Sequence, residues 1–403
     1  MKEKLVLIGN GMAGMRTIDE LLKLAPDQYD ITVFGAEPHG NYNRIMLSPV
    51  LAGDKSIDDI ITHPLPWYKE NNITLFTGNS ISEIDTDNQR VKAEDGTEVD
   101  YGKLIIATGS NPFMLPLPGA ELEGVISFRD IKDVNVMVET AKNYKRAVVI
   151  GGGLLGLEAA NGLMIQGMEV WVVHRCNTLM EQQLDQSASD LMRTELEEKG
   201  MHFLMEHDTD KFSGTDRVEK IHFKDGTELA IDLVVMAIGV RPNISLAKES
   251  GIHCERGIVV DGTLKTYAPN VYAVGECVQF QNQLFGLVAP LYEQAKVCAK
   301  QLAGLGGEKY TTSPTATKLK VTGINLFSAG DFTGDESTEA LIFKDSTRNI
   351  YKKIVLRDNK IIGTVLYGDT KDGNWYFSQL IDGDDISSIR EDMLFGQHHV
   401  SEA

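Results

Sequence analysis

Two glycine-rich segments and a change of residue pattern near Gly306 predict an α/β protein, with two Rossmann-like dinucleotide-binding domains and a small α+β C-terminal domain. The segments are residues 6–14 and 148–156. Each is a short apolar run, then glycines spaced G-x-G-x-x-G, then a helical pattern, which is typical of a buried parallel strand turning into a helix. After Gly306 apolar and polar residues alternate around turns, as in an antiparallel sheet, with a helix near residues 376–381.

The glycine spacing predicts how each segment would hold a pyrophosphate. The first glycine permits the turn, the second lets the backbone approach the ligand, and the third lets the helix pack on the strand. The helix start adds N–H groups and a positive dipole end. One such segment also occurs without a nucleotide, but two in register with further elements favour two dinucleotides. The residues expected at the two sites are Gly9, Gly11, Met12, Ala13 and Gly14, and Gly151, Gly153, Leu154, Leu155 and Gly156.

Size and charge exclude several classes of function. A chain of 403 residues is too long for one core, so several domains are expected. The net charge of −19 opposes binding to nucleic acid or to an anionic membrane surface. The sequence contains no apolar run long enough for a membrane span and begins directly with a strand, so we expect no signal peptide and a cytoplasmic protein.

The cysteines are scattered. Cys176, Cys254, Cys277 and Cys298 show neither C-x-x-C nor metal-ligand spacing. We therefore expect free thiols, most of them buried, no metal site, and no iron–sulfur cluster held by local cysteines. The adjacent His398 and His399 suggest metal, but they stand in a polar tail, residues 395–403, that we expect to be structureless.

An acid and an arginine follow the second strand of the first domain. Glu37 could accept hydrogen bonds from both hydroxyls of an adenosine ribose. The alternative is a solvated loop carboxylate. Arg44 could neutralise a pyrophosphate through its fork of donors.

Two strands that end in small residues mark where the chain crosses between domains. Residues 103–112 end the first strand with Ala107, Thr108 and Gly109, which we expect beside the first dinucleotide. Residues 232–243 repeat the pattern with Ile238 and Gly239. The predicted domains are residues 1–113 and 244–305 for the first dinucleotide, 114–243 for the second, and 306–403 at the C-terminus. Arg129 is a second expected contact at the edge of a flavin.

The residues after the strand at 169–173 bear on the choice between NADH and NADPH. An acid there would bind the 2′-hydroxyl of NAD, whereas an arginine would receive the 2′-phosphate of NADP. The sequence has His174 and Arg175, which favours NADPH. The alternative is a solvated Arg175 with NADH still bound through other contacts. Glu158, at the opening of the helix, is predicted to orient the nicotinamide carboxamide or else to be a surface carboxylate.

A strand ending in Gly275 and Glu276 completes the first domain. Glu276 could hydrogen-bond a ribityl hydroxyl if the first dinucleotide is a flavin. Leu287 and Val288 begin a helix, expected to end at Leu302, whose N-terminal dipole would stabilise an anionic reduced flavin.

These motifs, in this order, resemble those of the two-dinucleotide flavoprotein reductases. Residues 42–48, 151–160, 179–185 and 285–290 are similar to the reductase portion of the large subunit of assimilatory NAD(P)H nitrite reductases, over nearly the whole chain. Rubredoxin and ferredoxin reductases are the next relatives. The resemblance implies FAD in the first domain, NADH or NADPH in the second, and a C-terminal domain covering the flavin. Ser48, expected at the FAD, stands where disulfide reductases and flavin peroxidases carry a redox cysteine, so thiol–disulfide relay chemistry is disfavoured.

We therefore predict an NAD(P)H-dependent oxidoreductase that passes electrons through FAD to an iron–sulfur acceptor, either a further module, as in nitrite reductase, or a separate protein. The cofactors carry the chemistry, and the protein aligns them and excludes water. A stand-alone rubredoxin- or ferredoxin-type reductase, an NAD(P)H oxidase and a non-enzymatic redox sensor are alternatives. A homodimer is a further possibility that the sequence does not decide.

Overall fold

The structure is a computed structural model that describes residues 2–400. It divides into two compact units. The first holds the chain up to Val50, Lys55–Phe113 and Gly239–Thr312, and the second holds Leu51–Asp54, Met114–Ile238 and the chain from Ser313 on. The chain passes from the first unit to the second at Met114 and returns at Gly239.

The strands are β1 Glu3–Ile8, β2 Tyr29–Gly35, β3 Asn41–Tyr42, β4 Ile61–His63, β5 Ile73–Thr77, β6 Ile81–Asp85, β7 Arg90–Ala93, β8 Glu98–Asp100, β9 Lys103–Ile106, β10 Ser110–Pro112, β11 Val125–Ser127, β12 Arg146–Ile150, β13 Glu169–His174, β14 His202–Met205, β15 Thr209–Ser213, β16 Lys220–Phe223, β17 Glu228–Ala230, β18 Leu233–Met236, β19 Val240–Pro242, β20 Ile258–Val259, β21 Val271–Ala273, β22 Val278–Phe280, β23 Gln283–Leu284, β24 Ala316–Val321, β25 Ile324–Gly330, β26 Glu339–Asp345, β27 Ile350–Arg357 and β28 Lys360–Tyr367.

The α-helices are α1 Met12–Leu24, α2 Leu47–Leu51, α3 Ile57–Ile60, α4 Leu65–Glu70, α5 Ile131–Asn143, α6 Leu154–Ile165, α7 Gln186–Glu198, α8 Ser245–Glu249, α9 Val288–Leu302, α10 Gly373–Asp382 and α11 Gln397–Val400, with 3₁₀ turns at Arg44–Met46 and Met393–Phe395. Between residues 2 and 400, none of these helices is long and apolar enough to cross a membrane.

The first unit is built on a parallel sheet of order β21-β9-β1-β2-β5. Its central strand carries Leu5, Val6 and Leu7, all fully buried, because a parallel strand is covered on both faces. Helix α1 buries Ile18 and Leu21 against this core. The antiparallel strands β6-β7-β8 form a separate small sheet.

The second unit repeats this arrangement with the parallel order β11-β18-β12-β13-β14 and a small antiparallel sheet β15-β16-β17. In both units the strand that precedes the glycine-rich turn is central, and the strand that follows the helix is its neighbour. Two doubly wound sheets confirm the predicted fold class.

The C-terminal part of the second unit is an antiparallel sheet of order β24-β25-β28-β27-β26. Phe327, Ile354 and Leu366 pack with Tyr376 of α10 in its core. Tyr351 and Tyr367 are directly opposite each other on β27 and β28, and their hydroxyls donate to Asp185 and Glu195, each at 2.7 Å. The sheet is therefore joined to the α7 region by buried phenols.

The prediction that the tail from Phe395 is structureless is wrong for the residues that the structure describes. A 3₁₀ turn and α11 fold back on the C-terminal sheet domain. The Tyr376 hydroxyl donates to the Met393 carbonyl at 2.6 Å, and the Gln397 N–H donates to Asp372 Oδ1 at 3.2 Å. These anchors come from residues distant in sequence, so local polarity did not reveal them. Residues 401–403 lie outside the described part of the chain.

Candidate nucleotide-binding sites

The first glycines of the two glycine-rich turns have the same geometry. Gly9 and Gly151 have φ values of +107° and +119°. A Cβ on Gly9 would lie 2.2 Å from the carbonyl oxygen of Ala107, and one on Gly151 would lie 2.3 Å from that of Ala237. Both turns therefore require glycine, because the backbone is left-handed and touches the neighbouring strand.

The third glycines let the helices sit on the turns. A Cβ on Gly14 would come within 2.8 Å of the Gly9 carbonyl oxygen, and one on Gly156 within 1.9 Å of the Gly151 carbonyl oxygen. The starts of α1 and α6 are thereby held close to the ends of β1 and β12. This is the packing role predicted for these positions.

The second glycines face open space. A Cβ added to Gly11 or Gly153 would meet no described atom within 4 Å. These two glycines are the N-cap residues of α1 and α6, and because they have no side chain they make no side-chain cap to either helix. The N–H groups of the first helical turn lack intrahelical acceptors, so each turn offers donors to an anion. The residues present thus fit the pyrophosphate of a dinucleotide at both places.

A cleft of about 340 Å³ opens beside Gly9 in the first unit. Thr108, which was predicted as a site residue, lines this cleft. The rest of its polar lining comes from Asn79, Ser80 and Ser82, after β5, and from Asn243, Ser245 and Glu249. The sequence analysis did not single out these residues as site residues. The position of residues 79–82 was available as a signal, because carboxyl ends of neighbouring parallel strands meet at one edge of a sheet.

Glu37 and Arg44 form an ion pair. Arg44 Nη2 donates to Glu37 Oε1 at 2.7 Å, and the Tyr42 hydroxyl donates to Glu37 Oε2 at 2.8 Å. Arg44 begins the 3₁₀ turn that leads into α2, on which Ser48 lies half-buried. The two residues predicted to bind separate parts of the dinucleotide therefore contact each other, and Tyr42 joins them.

Within the first unit, the segment that leads out to Met114 and the segment that returns from Gly239 are hydrogen-bonded to each other. Strands β10 and β19 pair in antiparallel register, and Gly109 accepts from the Asn243 N–H at 2.9 Å. The Thr108 hydroxyl donates to the Asn243 carbonyl at 2.6 Å. Ala107 is buried next to Gly9, whereas Gly239 is exposed where the chain re-enters the unit and Ile238 still belongs to the other unit.

Gly275 and Glu276 lie at the end of β21. Gly275 has φ +95°, and a Cβ there would be 3.0 Å from Ala13 Cβ, so the turn sits against the start of α1. Its N–H donates to Oε1 of the buried Gln294 at 2.9 Å. Glu276 accepts a short hydrogen bond from the Ser110 hydroxyl. Gln294 and Ser110 were not predicted, since both are brought here by the tertiary fold.

Helix α9 begins at Val288, with Leu287 as an exposed N-cap residue. The Leu287 side chain makes no capping hydrogen bond, and the first N–H groups of a helix lack intrahelical acceptors, so they can donate to a ligand. Cys277, which follows Glu276 in the chain, is fully buried, and burial raises the pKa of its thiol to about 11. This cysteine is therefore kept as an unreactive thiol.

In the second unit the predicted residues lie around the start of α6. Glu158, half-buried, is the fifth residue of that helix. Arg129 precedes α5, and its backbone N–H donates to Asp133 Oδ2 at 2.7 Å. Leu154 and Leu155 are the first residues of α6, and Leu155 is exposed.

His174 is turned inward at the end of β13, whereas Arg175 is exposed. The Nδ1 of His174 accepts a hydrogen bond from the Gly152 N–H at 3.2 Å. The Nε2 of the same ring lies 3.0 Å from the Thr178 carbonyl oxygen and 3.3 Å from Glu181 Oε2. A donor at Nδ1 and two acceptors at Nε2 assign the ring proton to Nε2. His174 therefore holds the glycine-rich turn from beneath.

Of the residues that the structure describes, His174, Cys176 and Glu181 have potential ligand atoms within 4.8 Å of one another. In this group the His174 Nε2 is hydrogen-bonded to the Thr178 carbonyl oxygen at 3.0 Å. The chemistry of the group is that of hydrogen bonding.

Two parallel sheets, each with an uncapped helix behind an open glycine, define a protein that binds two dinucleotides. A family model described as "Pyridine nucleotide-disulphide oxidoreductase" matches residues 3–301, and one described as "Rubredoxin NAD+ reductase C-terminal domain" matches residues 315–383. The chain belongs to the pyridine nucleotide-disulphide oxidoreductase family. It is an NAD(P)H-dependent flavoprotein oxidoreductase, with FAD and NADH or NADPH as its cofactors.

Individual relatives agree with this family. The chain is 53% identical over 386 residues to a nitrite reductase [NAD(P)H] of Bacillus subtilis, covering 96% of this chain and 48% of that protein. It is 47% identical over 393 residues to the assimilatory nitrate reductase electron transfer subunit of the same organism, covering 98% of this chain and 51% of that protein. The chain thus spans about half the length of these relatives.

A solved structure of similar build is the NADH:rubredoxin oxidoreductase from Clostridium acetobutylicum. The TM-score is 0.81 at 25% identity, and the match covers 100% of both chains. The predicted resemblance to the reductase portion of nitrite reductases and to rubredoxin reductases is confirmed.

Proposed function

We propose that the chain transfers electrons from NADH or NADPH, bound by residues 114–238, to FAD, bound by the first unit, and from there to an iron–sulfur acceptor of the kind that serves nitrite reduction. The observation that carries this proposal is the pair of open glycines, Gly11 and Gly153, each at an uncapped helix start. When bound, the flavin supplies the chemistry, since it accepts a hydride and passes electrons on singly.

The residues of the first unit bind and orient FAD. The N–H groups at the start of α1 receive the pyrophosphate, and the cleft beside Gly9 takes the adenosine end. Glu37, held by Arg44 and Tyr42, accepts the ribose hydroxyls. Glu276, held by Ser110, faces the ribityl chain, and the start of α9 directs its dipole to the pyrimidine edge of the ring.

The residues of the second unit bind the nicotinamide dinucleotide. The start of α6 receives its pyrophosphate, and Glu158, one turn further on, orients the carboxamide. The described geometry assigns no proton transfer to any side chain, in keeping with a hydride step that requires no general acid or base.

The acceptor is proposed from the relatives. The names of two Bacillus subtilis relatives refer to nitrite reduction and to electron transfer for nitrate assimilation. This chain matches about half of each of them, and we assign nitrite reduction itself to a module outside the matched half, which this chain supplies with electrons. A second candidate is a reductase of a separate rubredoxin, which the match of residues 315–383 supports.

Anaerobic titration of the FAD-loaded protein with NADH and with NADPH tests the proposal. Flavin absorbance should bleach rapidly, and an artificial one-electron acceptor should then restore it over many turnovers. Fast bleaching followed by selective reoxidation by rubredoxin would favour the second candidate. Absence of bleaching by either nucleotide, or very slow turnover with a persistent charge-transfer absorbance, would contradict a reductase and favour a redox sensor.

A further inference from the structure

The position that carries a ribose-binding acid in NAD-specific Rossmann units is occupied by His174, and this side chain is not available to a ligand. Only 7% of the residue is exposed. Its two ring nitrogens are engaged by Gly152 on one side and by Thr178 and Glu181 on the other. Another residue must therefore form the hydrogen bonds with the adenosine ribose hydroxyls.

The segment after β13 folds back onto the glycine-rich turn. The Met180 N–H donates to the Gly152 carbonyl at 2.9 Å, while the Gly152 N–H is bonded to His174, the last residue of β13. Met180 has φ +50°, a left-handed conformation that non-glycine residues rarely adopt. The Leu179 N–H is bonded to Ser189 Oγ at 2.7 Å, which fixes the segment to α7.

This fold places a carboxylate at the carboxyl end of β13. Glu181 Oε2 lies 3.3 Å from His174 Nε2, although Glu181 is seven residues further along the chain, and 44% of its side chain is exposed. One side of the carboxylate thus lies beside a buried imidazole nitrogen, and 44% of the side chain is open to solvent. A ribose-binding acid in a Rossmann unit occupies the same end of the second strand.

We propose that Glu181 is the carboxylate that accepts hydrogen bonds from the adenosine ribose hydroxyls of NADH, with His174 as its positioning residue. The proposal rests on nicotinamide nucleotide binding by residues 114–238. A 2′-phosphate would bring additional negative charge next to Glu181, whereas the exposed Arg175 would attract it. Because an acid at this end of the second strand binds the 2′-hydroxyl of NAD, this proposal implies a preference for NADH, the reverse of the preference that His174 and Arg175 suggested from sequence alone.

The Glu181→Gln variant tests this assignment, with Glu198→Gln on the exposed face of α7 as the matched control. Dissociation constants of NAD⁺ and NADP⁺ are measured by calorimetry on the FAD-loaded protein. Loss of a charge-assisted hydrogen bond should weaken NAD⁺ by roughly tenfold or more. Affinity for NADP⁺ should rise, because the variant lacks the negative charge next to the 2′-phosphate. The ratio of the NAD⁺ dissociation constant to the NADP⁺ dissociation constant should therefore increase by more than the NAD⁺ constant does alone.

An unchanged ratio, with both nucleotides weakened equally or neither affected, would overturn the role of Glu181 while leaving the proposed function intact. A wild-type protein that binds neither nucleotide would instead contradict the proposed function, and this inference with it. The two failures are therefore distinguishable.

A double-mutant cycle separates positioning from general support of the fold. His174→Leu should shift the same ratio in the wild-type background and leave it unchanged in the Glu181→Gln background, because His174 acts through Glu181. Equal shifts of the ratio in both backgrounds would show that His174 does not act through that carboxylate. His174→Gln, which keeps an acceptor and a donor, should retain most of the wild-type ratio.

Discussion

The Tyr351 hydroxyl donates a 2.7 Å hydrogen bond to Asp185, the residue that also caps α7 by accepting from the Ala188 N–H at 3.1 Å. Lys353 Nζ lies 3.4 Å from the same carboxylate oxygen as the Tyr351 hydroxyl. Asp185 closes the 179–185 segment that packs against the glycine-rich turn. The parallel-sheet part of the second unit and its C-terminal sheet are therefore joined at a partly buried polar contact.

The other buried phenol of the C-terminal sheet, Tyr367, predicts an alkaline limit to stability. Burial and the carboxylate of Glu195 raise the pKa of Tyr367 above its usual value of 10.0. Because the folded-state pKa lies above the unfolded one, the stability from this phenol is present below pH 10 and is lost as pH rises toward the folded pKa. Above pH 10 the free energy of unfolding should fall by about 1.4 kcal/mol per pH unit for this group.

Urea unfolding between pH 9 and about pH 11.5 measures this dependence. Tyr367→Phe should have a shallower decline than the wild type by that amount. Tyr267→Phe is the control, since Tyr267 is 79% exposed and should change the slope little. Equal slopes for Tyr367→Phe and the wild type would contradict the assigned shift.

The two open glycines should separate the two cofactors. In Gly153→Asp the added carboxylate faces open space and accepts from the N–H groups at the start of α6, which the nucleotide would otherwise use. We expect FAD to be retained and affinity for NAD(P)H to fall by about 100-fold, roughly 3 kcal/mol. The readouts are bound flavin absorbance and nucleotide calorimetry.

Gly11→Asp should instead affect FAD. We expect this variant to fold but to be purified with little bound FAD. Gly153→Ala adds a Cβ without charge and serves as the control for both variants. Loss of FAD from Gly153→Asp, or unchanged reduction by NAD(P)H, would contradict the assignment of the second turn.

The third glycine should matter for folding rather than for ligands. In Gly156→Ala the new Cβ would lie 1.9 Å from the Gly151 carbonyl oxygen, so the helix must move off its strand. We expect a loss of about 3 kcal/mol or more in the free energy of unfolding. Gly153→Ala, in open space, should cost less than about 1 kcal/mol. Thermal unfolding of both variants compares them directly, and equal losses would contradict the packing role.

Glu37 and Arg44 should act on FAD together. A double-mutant cycle with Glu37→Gln and Arg44→Met, scored by the dissociation constant of FAD, should show coupling of about 0.5–3 kcal/mol because the 2.7 Å pair orients the carboxylate. Additive effects would mean that each residue binds FAD independently. The exposed pair Arg90 and Glu98, with atoms 3.1 Å apart, should give no coupling.

Sequence patterns predicted the fold because each pattern has a local physical cause. The sequence shows a glycine at position 9, before an amphipathic helix, and the structure gives this glycine the φ of +107° that the turn requires. The alternation of apolar and polar residues likewise predicts the C-terminal strands. The family and the cofactors followed from motif order and are confirmed. The assignment of individual site residues stays a prediction.

What sequence could not supply is the partner of each side chain. Glu181 reaches the end of β13 only because Met180 turns the chain back, and Ser110 meets Glu276 across 166 positions. The tail was wrongly predicted because its anchors, Asp372 and Tyr376, belong to another element. Contacts of this kind depend on the tertiary fold and leave no periodic signal.

The unequal burial of the thiols makes the protein suited to site-selective labelling. Cys277 and Cys298 are fully buried, whereas Cys176 and Cys254 are half-buried. A maleimide dye would therefore have two candidate attachment points in the native protein, and Cys254→Ser would leave one. Since Cys176 directly follows Arg175, a fluorophore there would report nucleotide occupancy in real time, independently of flavin colour and without any electron acceptor.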